Sequence, residues 1–429
     1  MKAAKALMNP LMVASYAIKK YHLMKKNRLF QMNKKLVWLI ACNFLLLASG
    51  CVKVEYSKIK EPAYLRVFNN LNYVQTLGSK DNKVPYFCMF INPVVDASGM
   101  PVSAEIVGDF LDQRDAYAPP YPSHIGTSTS VNNPEYPGKE NVLVGPILNG
   151  FDLSSWAQVP SGKVRIMFAY RPKNTVPFFQ LENHLKKDIL IDTTINLTNQ
   201  EVYTLHLLQK DFVSKKTGVL LRQEIFHKLP LSDSLAYVNF YNMSAKGYWQ
   251  AEKSLKEDNF LLASFQWGMK DDMNVYLSLF ENQNILSTQG ATVAGYKGKY
   301  FANVKLNTES PAVSPYSSFP IWASKSSNGI TTNIWPRFDF FVPGMDISSN
   351  PYYGGSTDNG GNWVSVNCLQ NGKIRMTSND NAAILPNVLV NIHSGKNNPA
   401  TFATVNTIEV VNGKVYLTTI QRKYAPPIY

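Results

Sequence analysis

The chain has 429 residues, of which 45% are hydrophobic and 17% charged, and Lys+Arg (43) exceed Asp+Glu (30) for a formal net charge of +13. Nine basic residues and no acidic one fall in residues 1–50, which leaves 34 basic against 30 acidic residues, a net charge of +4, for everything beyond. With no basic stripe left on the folded part, the electrostatic footprint of a nucleic-acid binder is missing, and that class of partner is excluded.

In chain order, residues 1–31 are longer than an export signal needs in front of it, whereas Met32-Asn33-Lys34-Lys35 is a normal signal start. We therefore read 1–31 as an upstream leader and Met32 as the initiator. Lys34 and Lys35 precede a twelve-residue, mostly apolar run, Leu36–Leu47, followed by Ala48-Ser49-Gly50-Cys51. This charged, apolar and small-residue layout is that of a secretory signal, and the run is too short for a spanning helix. The ending resembles the lipobox of bacterial lipoproteins, although the position three before the cysteine is Ala48 and the leucine stands one step earlier. The resemblance implies a signal peptide over 32–50 and a diacylglycerol-modified Cys51 as the first mature residue. Each buried methylene contributes about 0.8 kcal/mol, so two or three acyl chains hold stably where one does not. The expected address is the cell envelope, as an outer-membrane lipoprotein facing the periplasm or the surface, with residues 51–61 as a lipidated tether.

From Ala63 onward, short runs rich in Val, Ile, Phe, Tyr and Thr are broken by Gly, Pro, Asn and Asp, the pattern of strands punctuated by turns. Strands are predicted over 64–69, 86–92, 104–110, 142–147, 163–170, 189–196, 202–208 and 219–224. In 163–170, Val164, Ile166 and Phe168 alternate with Lys163 and Arg165, which marks a sheet with one buried face. No long stretch carries a helical period, so the expected fold is an all-β sandwich.

A second set begins after the breaker-rich segment 228–234. Ala236-Tyr237-Val238-Asn239-Phe240-Tyr241-Asn242 matches Ala63-Tyr64-Leu65-Arg66-Val67-Phe68-Asn69, and the Asn-led Val-Tyr strand at 199–205 matches the one at 412–418. Matching first and last strands in a fixed order signal duplication, with one β-sandwich repeat at 62–228 and a second at 229–429. These heptads, the strand at 274–280 and the closing Val-Tyr strands resemble a tandem immunoglobulin-like domain of unknown function found in bacterial cell-envelope lipoproteins. That resemblance covers most of the mature chain. It implies an extracytoplasmic all-β protein of two tandem immunoglobulin-like β-sandwich domains after a lipoprotein signal peptide, and it supplies no catalytic residues.

Each repeat carries one long stretch that does not read as strand, 111–140 and 307–362, where proline holds Tyr and Trp in extended backbone. Tyr117, Tyr121, Trp322, Trp335, Tyr352, Tyr353 and Trp363 are the candidate ligand-binding residues, since a flat aromatic beside an amide can stack on a sugar ring. The competing reading packs the same aromatics over their own sandwich. Catalytic patterns are missing: the histidines beyond the signal (124, 184, 206, 227 and 393) have no zinc spacing. Gly354–Asp358 lacks the last glycine of a nucleophile elbow, and no phosphate-cradling loop occurs. Asp358–Asn362 and Ser378–Asn381 read as plain turns rather than calcium loops. Neither metal nor cofactor is expected, and the chain is read as a non-enzyme. Cys88 and Cys368 sit in apolar strand-like runs, as small buried hydrophobes do. Three classes stay open: a docking or binding module for surface proteins on the outer membrane, a glycan-binding lipoprotein of a polysaccharide uptake system, and a fimbrial or adhesin subunit.

Overall fold

The structure, a computed structural model, describes residues 59–71, 86–114, 121–122, 142–186, 188–232, 235–252, 255, 270–280, 293–320, 324–326, 329–331 and 335–344. It also describes 404–421 and the short strands within 363–401. Residues Lys58–Tyr429 belong to one compact unit. The fold is all-β, and its only described helical turns of two or more residues are three-residue 3-10 turns at Phe178–Gln180, Asn183–Leu185 and Phe226–Lys228.

Before residue 229 the principal strands are β1 (Ala63–Asn69), β2 (Phe87–Val95), β3 (Pro101–Leu111), β4 (Ala157–Val159), β5 (Gly162–Tyr170), β6 (Ile189–Leu197), β7 (Val202–Gln209) and β8 (Thr217–Glu224). After it come β9 (Leu235–Asn242), β10 (Asp272–Phe280), β11 (Lys299–Lys305), β12 (Ser317–Pro320), β13 (Trp335–Phe341), β14 (Trp363–Ser365), β15 (Thr404–Val411) and β16 (Lys414–Gln421). A first inner sheet runs β8-β7-β1-β4 and a first outer sheet β3-β2-β5-β6. The second inner sheet, β16-β15-β9-β12, and the path β11-β10-β13-β14 of the second outer sheet repeat those orders, with Ala383–Ile384 added as a fifth strand against Arg337 and Phe338 of β13, and each sheet draws its strands from one side of residue 229. Directions repeat as well, with β1 parallel to β7 and β9 parallel to β15.

The heptads matched in the sequence are therefore equivalent strands, β1 and β9. Their shared last residue has a shared task, because the Asn69 side-chain oxygen accepts from Leu71 N at 3.2 Å and that of Asn242 from Ser244 N at 3.3 Å. An asparagine can close such a turn on its own backbone two residues on. The other match needs correcting. Val202-Tyr203 opens β7, whereas Val415-Tyr416 lies in β16, the counterpart of β8. Asn412 (φ 46°) and Gly413 (φ 80°) form the two-residue hairpin joining β15 to β16, and left-handed backbone at both positions is what makes Asn-Gly suit that turn. At 199–200 only Gln200 has left-handed backbone (φ 59°), so the two segments share an asparagine before a Val-Tyr strand and neither the turn nor the strand position.

Alternation assigns each face. Ala63, Leu65 and Val67 meet Phe87, Met89, Ile91, Val164, Ile166 and Phe168 in a core between the first inner and outer sheets. Val238 and Phe240 meet Val275, Leu277, Phe338 and Phe340 in the second. Beyond the first outer sheet, Phe178 and Leu181 cover Cys88, Phe90, Met167 and Ala169, so that face is dry there and opens to water only near Arg165, half exposed and paired with Asp192 at 2.7 Å.

Two further expectations change. The strand predicted over 142–147 reduces to a single bridge at Val144 and the pair Ile147–Leu148, which hydrogen-bonds Phe151–Asp152. The second long stretch is not strand-free: β12 and β13 lie inside it, and β13 pairs with β10 along its whole length. Pro336, next to the start of β13, disguised that strand, a position where proline is tolerated.

Backbone crowding marks Gly145. A Cβ there would stand 2.6 Å from Leu153 Cβ, 2.9 Å from the Leu153 carbonyl oxygen and 3.2 Å from Tyr64 Cδ1. Since one neighbour is backbone, Gly145→Ala is expected to lower stability by about 1–3 kcal/mol, as overpacking does. An unchanged urea midpoint would count against the tight packing.

Candidate functional site

The second face of each inner sheet carries the unexpected chemistry. β1 is buried at every position, yet Tyr64, Arg66 and Phe68 point away from their own core. They meet the equivalent face of the second inner sheet, so the four sheets stack outer, inner, inner, outer. Apolar clusters close both ends of the inner contact: Tyr64, Trp156, Val202 and Phe226 with Val405 and Ile420 at one, Leu208 and Leu220 with Tyr241, Met243, Val411 and Tyr416 at the other. The β7–β8 hairpin adds a third contact. Phe212 N donates to Lys246 O at 2.9 Å, and the Phe212 ring enters the second core against Tyr248, centroids 5.1 Å apart.

Between those clusters lies a buried ionic network. Glu409 of β15 receives Arg114 Nη1 at 2.6 Å and Arg222 Nη2 at 2.8 Å, both from the other half of the chain, and His206 Nε2 stands 3.4 Å away. Arg222 also pairs with Glu224 at 3.1 Å and lies over the Tyr241 ring at 4.0 Å. Arg114 is sandwiched between Phe68 (3.8 Å) and Tyr416 (4.3 Å), and its Nη2 donates to Thr418 Oγ1 at 3.2 Å. Asn70 Nδ2 lies 2.9 Å from His206 Nδ1. With the amide donating there, the imidazole proton sits on Nε2, facing Glu409. Burial alone would raise the Glu409 carboxyl, but the guanidinium groups of Arg114 and Arg222 hold it well below the usual carboxylate range. Burial pushes His206 well below its ordinary value, with Arg222, Arg114 and Arg66 adding to the effect against Glu409, so the ring is neutral near pH 7.

This arrangement joins the two inner sheets through buried side chains. Glu409 is 1% exposed and His206 fully buried, so neither is open to a substrate. Replacing such a network by well-packed apolar groups often costs nothing, but removing one partner leaves a buried charge unmatched; its value is in fixing one alignment.

Of the aromatics selected from the sequence, Tyr117, Trp322, Tyr352 and Tyr353 lie outside the described residues, as does Cys51. Trp335 opens β13 and Trp363 opens β14, where its backbone pairs with Phe341. Those two residues therefore belong to a sheet rather than to a loop. Tyr121 is corrected: it is 2% exposed, bridges Val67 and packs its ring over Gly108, so it is core and offers no face to a sugar.

A surface groove of about 480 Å³ runs along β11, floored by Asn242 and walled by Ser314 and Pro315, with Tyr300, Asn303 and Lys305 on its lining. Tyr300 is 55% exposed and meets Tyr276 edge-on at 5.7 Å. These residues were missed in the sequence because Lys299–Lys305 was not read as a strand; the alternation of Tyr300, Ala302 and Val304 was the available signal. Among the described residues, no group of three or more His, Cys, Asp or Glu could hold a metal ion. No family model and no curated protein matches the chain.

Proposed function

We propose that this chain is a non-catalytic cell-envelope lipoprotein, anchored through lipid on Cys51, whose two tandem immunoglobulin-like sandwiches form a binding or docking module on the outer membrane. The observation that carries the reading is Lys34–Cys51, with its basic start, short apolar run and small residues before a cysteine. Strand-for-strand equivalence between the two halves supports duplication, and the shared inner faces suit a stiff presenting body. Cys51→Ser is expected to abolish acyl labelling and release the protein from the membrane fraction. Processing and membrane retention unchanged from wild type would overturn the proposal.

A second reading, glycan binding, is favoured by the β11 groove, where the exposed Tyr300 ring stands among side-chain amides. Polysaccharide affinity electrophoresis tests it. Retardation that Tyr300→Ala removes supports it, and no retardation on any polysaccharide, or retardation that Tyr300→Ala leaves intact, rejects the groove as a glycan site.

A further inference from the structure

Arg66 is the one guanidinium of the inner contact to which the structure gives no carboxylate. It is 5% exposed, and its single hydrogen bond among the described residues is a long one, from Nη2 to Thr204 Oγ1 at 3.4 Å. Trp156 covers one side of it, with Cζ 4.0 Å from the ring, and Phe68 lies 4.9 Å away. Its Nε is buried without a hydrogen-bond partner, and so are Trp156 Nε1 and Arg222 Nη1. The pairing register aligns these donors. Leu65 pairs with Ala157, which places Trp156 beside Arg66, and Arg66 and Arg222 both pair with Thr204. Arg66 and Arg222 are thus two strand spacings apart on one face of the sheet, roughly 10 Å between backbones, a span that two long side chains can bridge.

The charges do not balance either. Among the described residues, Arg66, Arg114 and Arg222 face Glu224 and Glu409, with His206 neutral, so one positive charge remains among side chains closed to water. A buried cation without a counter-charge, ringed by donors lacking acceptors, is the pattern that buried groups otherwise avoid.

We propose that a small monovalent anion of the halide class binds between the two inner sheets, on Arg66 Nε, with Trp156 Nε1 and Arg222 Nη1 as further donors. The class follows from the surroundings. One excess positive charge calls for a single negative charge rather than a dianion. All the unmet groups named are N–H donors, which a spherical acceptor satisfies without added donors of its own.

Two measurements test this on the purified protein. In thermal unfolding at constant ionic strength, replacing sodium gluconate by sodium bromide is expected to raise the Tm of wild type saturably, and to leave Arg66→Met unmoved. In crystals grown in gluconate and soaked in bromide, an anomalous peak is expected against Arg66 Nε. This second measurement needs only wild type and stands even where the variant does not fold. Water alone at that position, a bromide peak only elsewhere, or an equal Tm rise in wild type and Arg66→Met would each overturn the proposal.

Discussion

Glu409→Gln is expected to lower the unfolding free energy by about 3–5 kcal/mol, the cost of removing one member of a buried ion pair. Glu409 is the buried carboxylate that the second half contributes among the described residues of the inner contact, and it joins Arg114 and Arg222 of the first. A glutamine keeps the shape and loses the charge, leaving the buried Arg114 without its carboxylate and Arg222 with Glu224 alone. Urea denaturation of the purified variant reads the loss, and a change below about 1 kcal/mol would mean that the inner faces hold together by apolar contact alone.

The same network predicts a direction for pH. His206 and His227 are held below their ordinary value of 6.5, burial being the main cause in each. Below that pH the unfolded chain takes up protons that the folded one refuses, so stability is full above about 6.5 and falls beneath it. Glu409, ordinarily near 4.5, is depressed in the fold. Its contribution is therefore full above about 4.5 and disappears as the pH drops further toward the folded value. Acidification from pH 7.5 to 3.5 should weaken the protein in two successive steps, and Glu409→Gln should shrink the lower one. A flat profile between pH 7.5 and 5.5 would contradict the burial of a neutral His206.

Phe240→Ala is expected to cost about 3–5 kcal/mol, as deletion of a buried ring does when its neighbours cannot collapse. Phe240 is 4% exposed and lies amid Phe338 (5.4 Å), Phe301 (6.1 Å) and Phe340 (6.1 Å), with contributions from the inner and outer sheets of the second sandwich. Tyr300→Ala, on the surface, is expected to stay within about 0.5 kcal/mol. Comparable losses for the two would mean that the aromatic cluster is not the centre of that core.

Much of the fold was legible because a period of two survives in the strands. Ala63–Asn69 and Ala236–Asn242 announced equivalent strands, and Val164, Ile166 and Phe168 do face the core. What alternation cannot report is the destination of the other face. Arg66 on β1 and Glu409 on β15 lie on that other face, and a second sheet covers both. The network stayed hidden for a related reason: Arg114 and Glu409 are 295 positions apart, and neither strand pattern nor motif connects them. A lone charge inside an otherwise apolar or aromatic strand, as in Tyr64-Leu65-Arg66-Val67-Phe68 or Ile408-Glu409-Val410, was the one available clue. Reading function from proline-flanked aromatics failed at Tyr121, which is core. Large rings are drawn into the nearest dry surface whether or not a loop carries them.

The hairpin tip that hands Phe212 to the second core has a mechanical consequence. Together with the inner faces it denies the chain a swivel between its halves, although only Leu229–Ser234 connect them in sequence. Tension applied to loops at one end of the stack reaches the other through the side chains packed between the inner faces and the backbone junction of the β7–β8 hairpin with Lys246. Whatever grips one end is thereby held at a set angle to whatever grips the other.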